Sequence, residues 1–446
     1  MITEKQGLEL LDGIVKLGRD AEVEAAVVGM QRELTRFADN QIHQNVATTD
    51  ASLILRVAVG KRIGVVTTNR LDFDTVRQAL GRARELASLQ PENPHFAGFA
   101  ATQPVPPMLA AHPSTLAATA QDRAELIHVL AGMMRSESLS ACGRVSTTTT
   151  MRAVANSRGV AVAATLSEAD MVAVVSSPDA GSGYAARVSP SFAALGVESL
   201  VSEVIETTRL AEDPVQVPAG AYDVVLAPYA VATLVEYLAI AGFGGLSFLE
   251  GRSFMSDRLG QRITGDGISI WDDARDRDLP GEPFDWEGVP TRRLPLITDG
   301  IAVGVAHDVT TAARCGTTST GHAQPSPTAD GALPTHLVMG AGTASMADLI
   351  KQVKKGLLVT RFHYTNLVDA KRTLATGLTR DGLLIIEHGE IVGAARNLRF
   401  TESILEAFAR CEGMSADTRI GGEFGIRVKA PAMLIRQFRF NGQAGS

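Results

Sequence analysis

The sequence predicts an α+β fold: a mixed N-terminal domain of antiparallel hairpins and helices, then a β-rich C-terminal domain of barrel or sandwich type. Three observations predict it. The chain opens as helix, antiparallel strands, helix. Its second half is dominated by two-residue hairpin signals. Its 42 glycines and 5% aromatic content favour many turns and a core of Val, Ala, Leu and Ile. At 446 residues the chain exceeds one ordinary core, so two domains are expected, 1–215 and 216–446.

The elements follow in order. Thr3 and Gln6 form a capping-box pattern ahead of Leu10, Leu11, Ile14, Val15 and Leu17, which share a helical face. Residues 23–30 read as a strand and 33–46 as one or two more. Residues 52–59 and 62–68 flank Gly60-Lys61, a hairpin in which Gly supplies the positive φ of a type II′ turn. Asp72 caps a helix through Phe73, Val76, Leu80, Ala83 and Leu86. Prolines 91, 94, 104, 106, 107 and 113 make 91–114 an extended linker. A helix is expected at 121–135, strands at 144–156, 160–165 and 171–176, and an amphipathic helix at 197–210.

The boundary between halves falls at 213–220, rich in Pro and Gly. Beyond it, Asp299-Gly300 and His388-Gly389 sit between apolar runs as hairpin turns, both central residues of a type I′ turn requiring positive φ. Two helices interrupt: 228–241, and one capped by Ser345 that continues through Val353 and ends at Lys354-Lys355-Gly356. Residues 317–330, rich in Thr, Ser, Gly and Pro, read as a long loop.

Composition narrows the function classes. A formal charge of −7 argues against a general nucleic-acid binder. No run of eighteen apolar residues offers a membrane span, and residues 1–6 carry no secretory pattern. Cys142, Cys315 and Cys411, sparse and without CxxC, fit reduced thiols in the cytoplasm. Gly242-Phe243-Gly244-Gly245 follows a helix rather than a strand, so it is no dinucleotide loop, and neither GxSxG nor a P-loop Lys is found.

The most informative stretch is 223–254, DVVLAPYAVATLVEYLAIAGFGGLSFLEGRSF: strand, Pro-containing turn, helix, Gly-rich turn. Here the chain resembles the TldD/PmbA family of metallopeptidase-related proteins. Leu34 to Gln44, Lys355 to Thr360 and Ile386 to Ile391 resemble further family segments, so the likeness runs over nearly the whole chain. TldD-type members carry HExxxH on this helix. That motif brings both imidazoles to one helix face, with the Glu acting on a metal-bound water. The corresponding residues here are Val235-Glu236-Tyr237-Leu238-Ala239-Ile240. Glu236 keeps the Glu position, while Val235 and Ile240 cannot donate a lone pair to zinc. The family's late Cys ligand is missing from 419–422, and Cys411 lies upstream, out of register.

The resemblance implies pairs in which a TldD-like chain carries the zinc and a TldE-like chain, lacking the ligands, completes the chamber. It implies that this chain is of the second kind. It would then have no cofactor of its own and a zinc-bearing partner, and it would act on unfolded peptide in the cytoplasm. Glu236 is then either a solvated surface carboxylate, a catalytic remnant, or a contact for peptide or partner. A carboxylate alone does not polarise a peptide carbonyl. Strand alternation places Arg361, His363 and Thr365 on one face, a hydrogen-bonding surface for an extended peptide, with Phe362 and Tyr364 on the other. Two alternatives stand beside this: a homodimer binding peptides or small ligands outside proteolysis, and a hydrolase with a relocated metal site at His307, Cys315 and His322. The plainer reading of that last set is polar loop residues plus one buried thiol.

Overall fold

A computed structural model describes residues 1–443. The N-terminal part is one antiparallel six-stranded sheet in the order β3-β2-β1-β4-β5-β6. Its strands are β1 (Glu22–Ala38), β2 (Gln41–Val59), β3 (Arg62–Thr68), β4 (Ser140–Asn156), β5 (Ala161–Ser176) and β6 (Ser182–Ser189). The helices are α1 (Glu4–Leu17), α2 (Phe73–Leu89), the single turn α3 (Pro113–Leu116), α4 (Ala120–Ser136) and α5 (Val197–Leu210).

The expected caps are present. Thr3 and Gln6 make the reciprocal capping box, and Asp72 accepts from the Thr75 N–H. Strand extents differ from expectation. What reads as two or three strands over 23–46 is a single hairpin of β1 and β2, turning at Asp39-Asn40, both at positive φ (49° and 58°). Residues 160–165 and 171–176 fall on one strand, β5, because Glu168 and Asp170 interrupt the apolar pattern without interrupting the pairing. β6 is a strand that the sequence pattern does not announce.

Side-chain alternation divides the sheet's duties. Odd-numbered residues of β1, β4 and β5, among them Val23, Ala25, Val27, Val145, Met151, Met171 and Val175, pack under the helices in two apolar clusters. Even-numbered residues point the other way, toward the C-terminal part.

That part holds β7 (Gly220–Leu226), β8 (Ile270–Asp272), β9 (Leu294–Thr298), β10 (Ile301–Ala302), β11 (His336–Met339), β12 (Lys355–Asp369), β13 (Leu374–Glu387), β14 (Glu390–Ala395), β15 (Leu398–Ser403), β16 (Cys411–Gly421) and β17 (Arg427–Gln443). Successive pairings β7-β12-β13-β15-β17, closed by β17 against β7, make a five-stranded ring. The barrel-like expectation is met. Asp299-Gly300 and His388-Gly389 take positive φ as their turns require. The helix capped by Ser345 is shorter than expected, Met346–Lys351, since Lys355 and Gly356 already pair in β12.

Helix α6 (Pro228–Leu238) crosses the ring's core, with Val231, Leu234, Val235 and Leu238 buried in the largest apolar cluster. It then widens into a π-turn, Ala239–Phe243, a local geometry frequent at functional sites. Gly245, after the π-turn, leaves no room for a Cβ against His307, so the glycine run serves close packing.

Candidate functional site: a cleft between sheet and barrel

Even-numbered residues of four strands form the floor of a cleft of about 570 Å³. Arg32 comes from β1, Arg144 and Thr148 from β4, Glu168 and Asp170 from β5, and Tyr184 from β6. The opposite wall is Tyr229 and Thr233 of α6, Arg361 and Phe362 of β12, and the 421–427 segment joining β16 to β17. Two side cavities share residues with it: one of about 260 Å³ under Phe424, and one of about 330 Å³ reaching Gln324 and Pro325 of the long loop.

Charge in the cleft is mostly paired. Arg427 of β17 makes a bidentate bridge to Glu168 of β5 at 2.6 and 2.9 Å, tying barrel to sheet. Arg144 reaches Asp170 at 2.9 Å. The Tyr229 hydroxyl donates to the Ala186 carbonyl and lies 2.9 Å from Glu203, and burial with the nearby Glu203 pushes its pKa up. Burial likewise raises the Tyr184 hydroxyl. None of these residues stands out in the sequence. The one available signal is Glu168-Ala169-Asp170, acids at alternate positions inside an otherwise apolar strand.

Glu236 is not on a solvated helix face. It is 1% exposed, and its Oε1 accepts the N–H groups of Glu423 and Phe424 at 2.7 and 2.8 Å. Burial raises its pKa, partly offset by those two bonds. The neighbouring Tyr237 hydroxyl donates to the Thr365 carbonyl. Thus Glu236, His363 and Thr365 meet at the 260 Å³ cavity, although 127 residues of chain separate the first two. Arg361 lies in the main cleft instead, bound to Asp381 through Nε at 2.7 Å and stacked 4.2 Å from the Tyr184 ring.

The expected alternation of 361, 363 and 365 fails beyond His363. Tyr364 takes positive φ (48°), and the register with β13 breaks between His363 and Asn366. The bulge turns Tyr364 out, 72% exposed, and buries Thr365. His363 is held below its ordinary pKa by burial and by Arg380 and Arg361.

The residues do not fit a zinc ion. Positions 235 and 240 lie five apart, about 140° around an α-helix, and they do not share a face as the motif reading expects. Val235 is wholly buried and Ile240 is 42% exposed. Nor do His307, Cys315 and His322 assemble a metal site. His322 spends both ring nitrogens, on Asp272 at 3.0 Å and Thr320 at 2.9 Å. Cys315 is exposed at a helix end rather than a buried thiol. Among the described residues no group of three His, Cys, Asp or Glu side chains is placed to hold a metal.

Comparison with known proteins agrees with this architecture. Residues 219–442 match the model of the PmbA/TldA metallopeptidase C-terminal domain, and residues 23–87 match that of PmbA/TldA metallopeptidase domain 1. The chain belongs to the PmbA/TldD metallopeptidase family. A metalloprotease of Methanothermobacter thermautotrophicus is 26% identical over 209 residues, 46% of this chain and 45% of that protein. A metalloprotease TldD homolog of Haemophilus influenzae is 25% identical over 243 residues, 51% and 50% of the two chains. The chain thus matches half or less of the length of these PmbA/TldD relatives. In fold, the crystal structure of TldE from Thermococcus kodakarensis superposes with a TM-score of 0.89 at 20% identity, covering 97% of this chain and 100% of that one.

Proposed function

We propose that this chain is the non-catalytic, TldE-like member of a two-chain protease, binding unfolded peptide while a TldD-like partner supplies the zinc. The observation that carries the peptide reading is a free strand edge. β12 pairs with β7 only over Gly356–Val359, and β13 occupies its other side. From Arg361 onward, the edge beside the cleft has no sheet partner among the described residues. Such an edge offers main-chain groups to an extended peptide, and the polar strand face opposite gives its side chains a wet surface. The helix with Val235 and Ile240 in place of imidazoles fits a supporting rather than a hydrolytic part. In this reading Glu236 orders the 422–426 loop at the cleft mouth, and Arg361, His363 and Thr365 line the peptide's path.

The test is to purify the chain alone and with a TldD-like partner bearing HExxxH, measure zinc in each, and assay cleavage of an unfolded polypeptide. The expected result is zinc and chelator-sensitive cleavage only with the partner, in a stable heterodimer. Stoichiometric zinc and cleavage by the single chain would overturn the proposal.

A further inference from the structure

The 260 Å³ side cavity has a composition that the peptide reading alone leaves unexplained. Its deepest polar group is Glu236, whose two hydrogen bonds both fall on Oε1. Oε2 receives none of them. Beside it lies Thr365, 8% exposed, whose carbonyl is taken by the Tyr237 hydroxyl. Glu423 adds a second carboxylate at the rim. Neither Glu236 nor Glu423 belongs to an ion pair among the described residues. The arginines nearby are already committed: Arg427 to Glu168, and Arg361 to Asp381.

The walls are aromatic. Tyr237 and Phe424 meet edge to face at 6.2 Å, and the His363 and Tyr364 rings lie 4.2 Å apart. Phe424 and Tyr364 are 64% and 72% exposed, so their faces are available at the mouth. A buried carboxylate without a cation is costly, and aromatic faces attract cations. An anionic ligand would be repelled by both glutamates. An apolar side chain would leave Glu236 uncompensated. The volume suits one side chain, being below the roughly 300–1,000 Å³ of sites for whole small molecules.

We propose that this cavity receives one cationic group of the bound chain, an ammonium or guanidinium, with Glu236 and Glu423 as its counter-charge and Phe424 and Tyr364 as its aromatic rim. The inference rests on the peptide-binding reading and deepens it. It makes the cleft selective for peptides carrying a basic residue or a free amino terminus at one position.

Calorimetric titration of the full chain tests it with four pentapeptides. Three are blocked at both ends, Ala-Ala-X-Ala-Ala with X lysine, arginine or norleucine. The fourth is the norleucine peptide with its amino terminus free. A blocked lysine or arginine peptide, or the free-amine peptide, is expected to bind about tenfold or more tighter than blocked norleucine, and which of them does so identifies the source of the cation. Glu236→Gln should abolish the preference. Glu423→Gln, at an exposed loop position where folding is not at stake, should reduce it about threefold or more. Equal affinity for all four peptides overturns the inference while leaving peptide binding intact. A preference that survives both substitutions overturns it as well. n-Butylamine alone separates the two levels. If it binds in a Glu423-dependent way while no peptide does, the cavity stands and the peptide reading falls. If neither amine nor peptide binds, both fall.

Discussion

The even-numbered face of the N-terminal sheet meets the barrel in two different ways. At one end it is sealed. Ala26 and Val154 pack against Phe284 and Val289. Arg152 stacks on Trp286 at 4.9 Å, and Arg56 bridges Glu24 and Glu287 at 2.6 and 3.0 Å. At the other end the same face stands open as the cleft, and Glu236, in the side cavity beside it, has no cation partner among the described residues. Both ends bury carboxylates between the two halves of the molecule. The sealed end answers them with a guanidinium of its own and excludes solvent. The open end pairs Glu168 with Arg427 and Asp170 with Arg144 but leaves Glu236, in the side cavity, without a cation among the described residues. Pairing, more than burial, separates a structural clamp from a binding site.

The largest effect should come from breaking the clamp. Arg56→Leu leaves Glu24 and Glu287 buried without a partner, and we predict a loss of about 3–5 kcal/mol in chemical denaturation. A loss below ~1 kcal/mol would mean that the sealed end is not held by this pair. Next comes the tie across the cleft. Arg427→Met removes the bidentate bridge to Glu168 while keeping volume, and a loss of about 2 kcal/mol is expected. Unchanged stability would show that the two halves are held without it.

A smaller effect is expected from pH. Burial raises the Glu24 pKa, and the neighbouring Glu287 and Asp285 add to it against the opposing pull of Arg56. Asp285 is raised by burial and by Glu287, and Asp308 adds to the same acidic surroundings. A carboxyl with a raised folded-state pKa holds its proton more tightly in the folded chain than in the unfolded one. Its contribution is therefore present at acid pH and is lost as pH rises from the ordinary carboxylate range toward neutrality. Melting temperature should fall over that window, and Glu24→Gln should flatten the fall. An identical slope in the variant would place the linkage elsewhere, with Asp285 and Glu287, both raised by burial, the next candidates.

The smallest stability effects belong to the open end. Phe424→Ala should change stability by less than ~0.5 kcal/mol, yet weaken binding of whichever cationic peptide the parent prefers. Equal binding by variant and parent would remove the aromatic rim from the comparison. Dialysis of the isolated chain against a chelator should leave its melting temperature unchanged. A drop would reveal a metal contribution that the side chains at 235 and 240 do not explain.

Much of the framework is legible in the sequence. Caps at Thr3, Asp72 and Ser345 and turns at Gly60, Asp299 and His388 are local, short-range chemistry, and each is found where the residues put it. The long strands are harder to read because polar residues such as Glu168 and Asp170 look like breaks. On a strand whose one face lines a cleft they are the floor. Alternation misplaces Thr365 because a bulge at Tyr364 reverses it, and nothing in Arg361–Asn366 announces a bulge. Helical glutamates commonly face solvent, and Glu236 departs from that habit. Its burial depends on the backbone of Glu423 and Phe424, 187 and 188 residues away.

The sequence by itself determined that positions 235 and 240 carry no zinc donor, because an aliphatic side chain has no lone pair in any fold. It also determined the family resemblance that residues 219–442 bear out. Only the tertiary structure decided what stands where the metal chemistry would be. It brought Glu236, His363, Thr365 and Glu423 to one cavity and sent Arg361 to the neighbouring cleft, while His307, Cys315 and His322 stayed apart. The reason is range: donor chemistry belongs to single residues, but convergence depends on how a closed ring of strands carries distant segments past one helix.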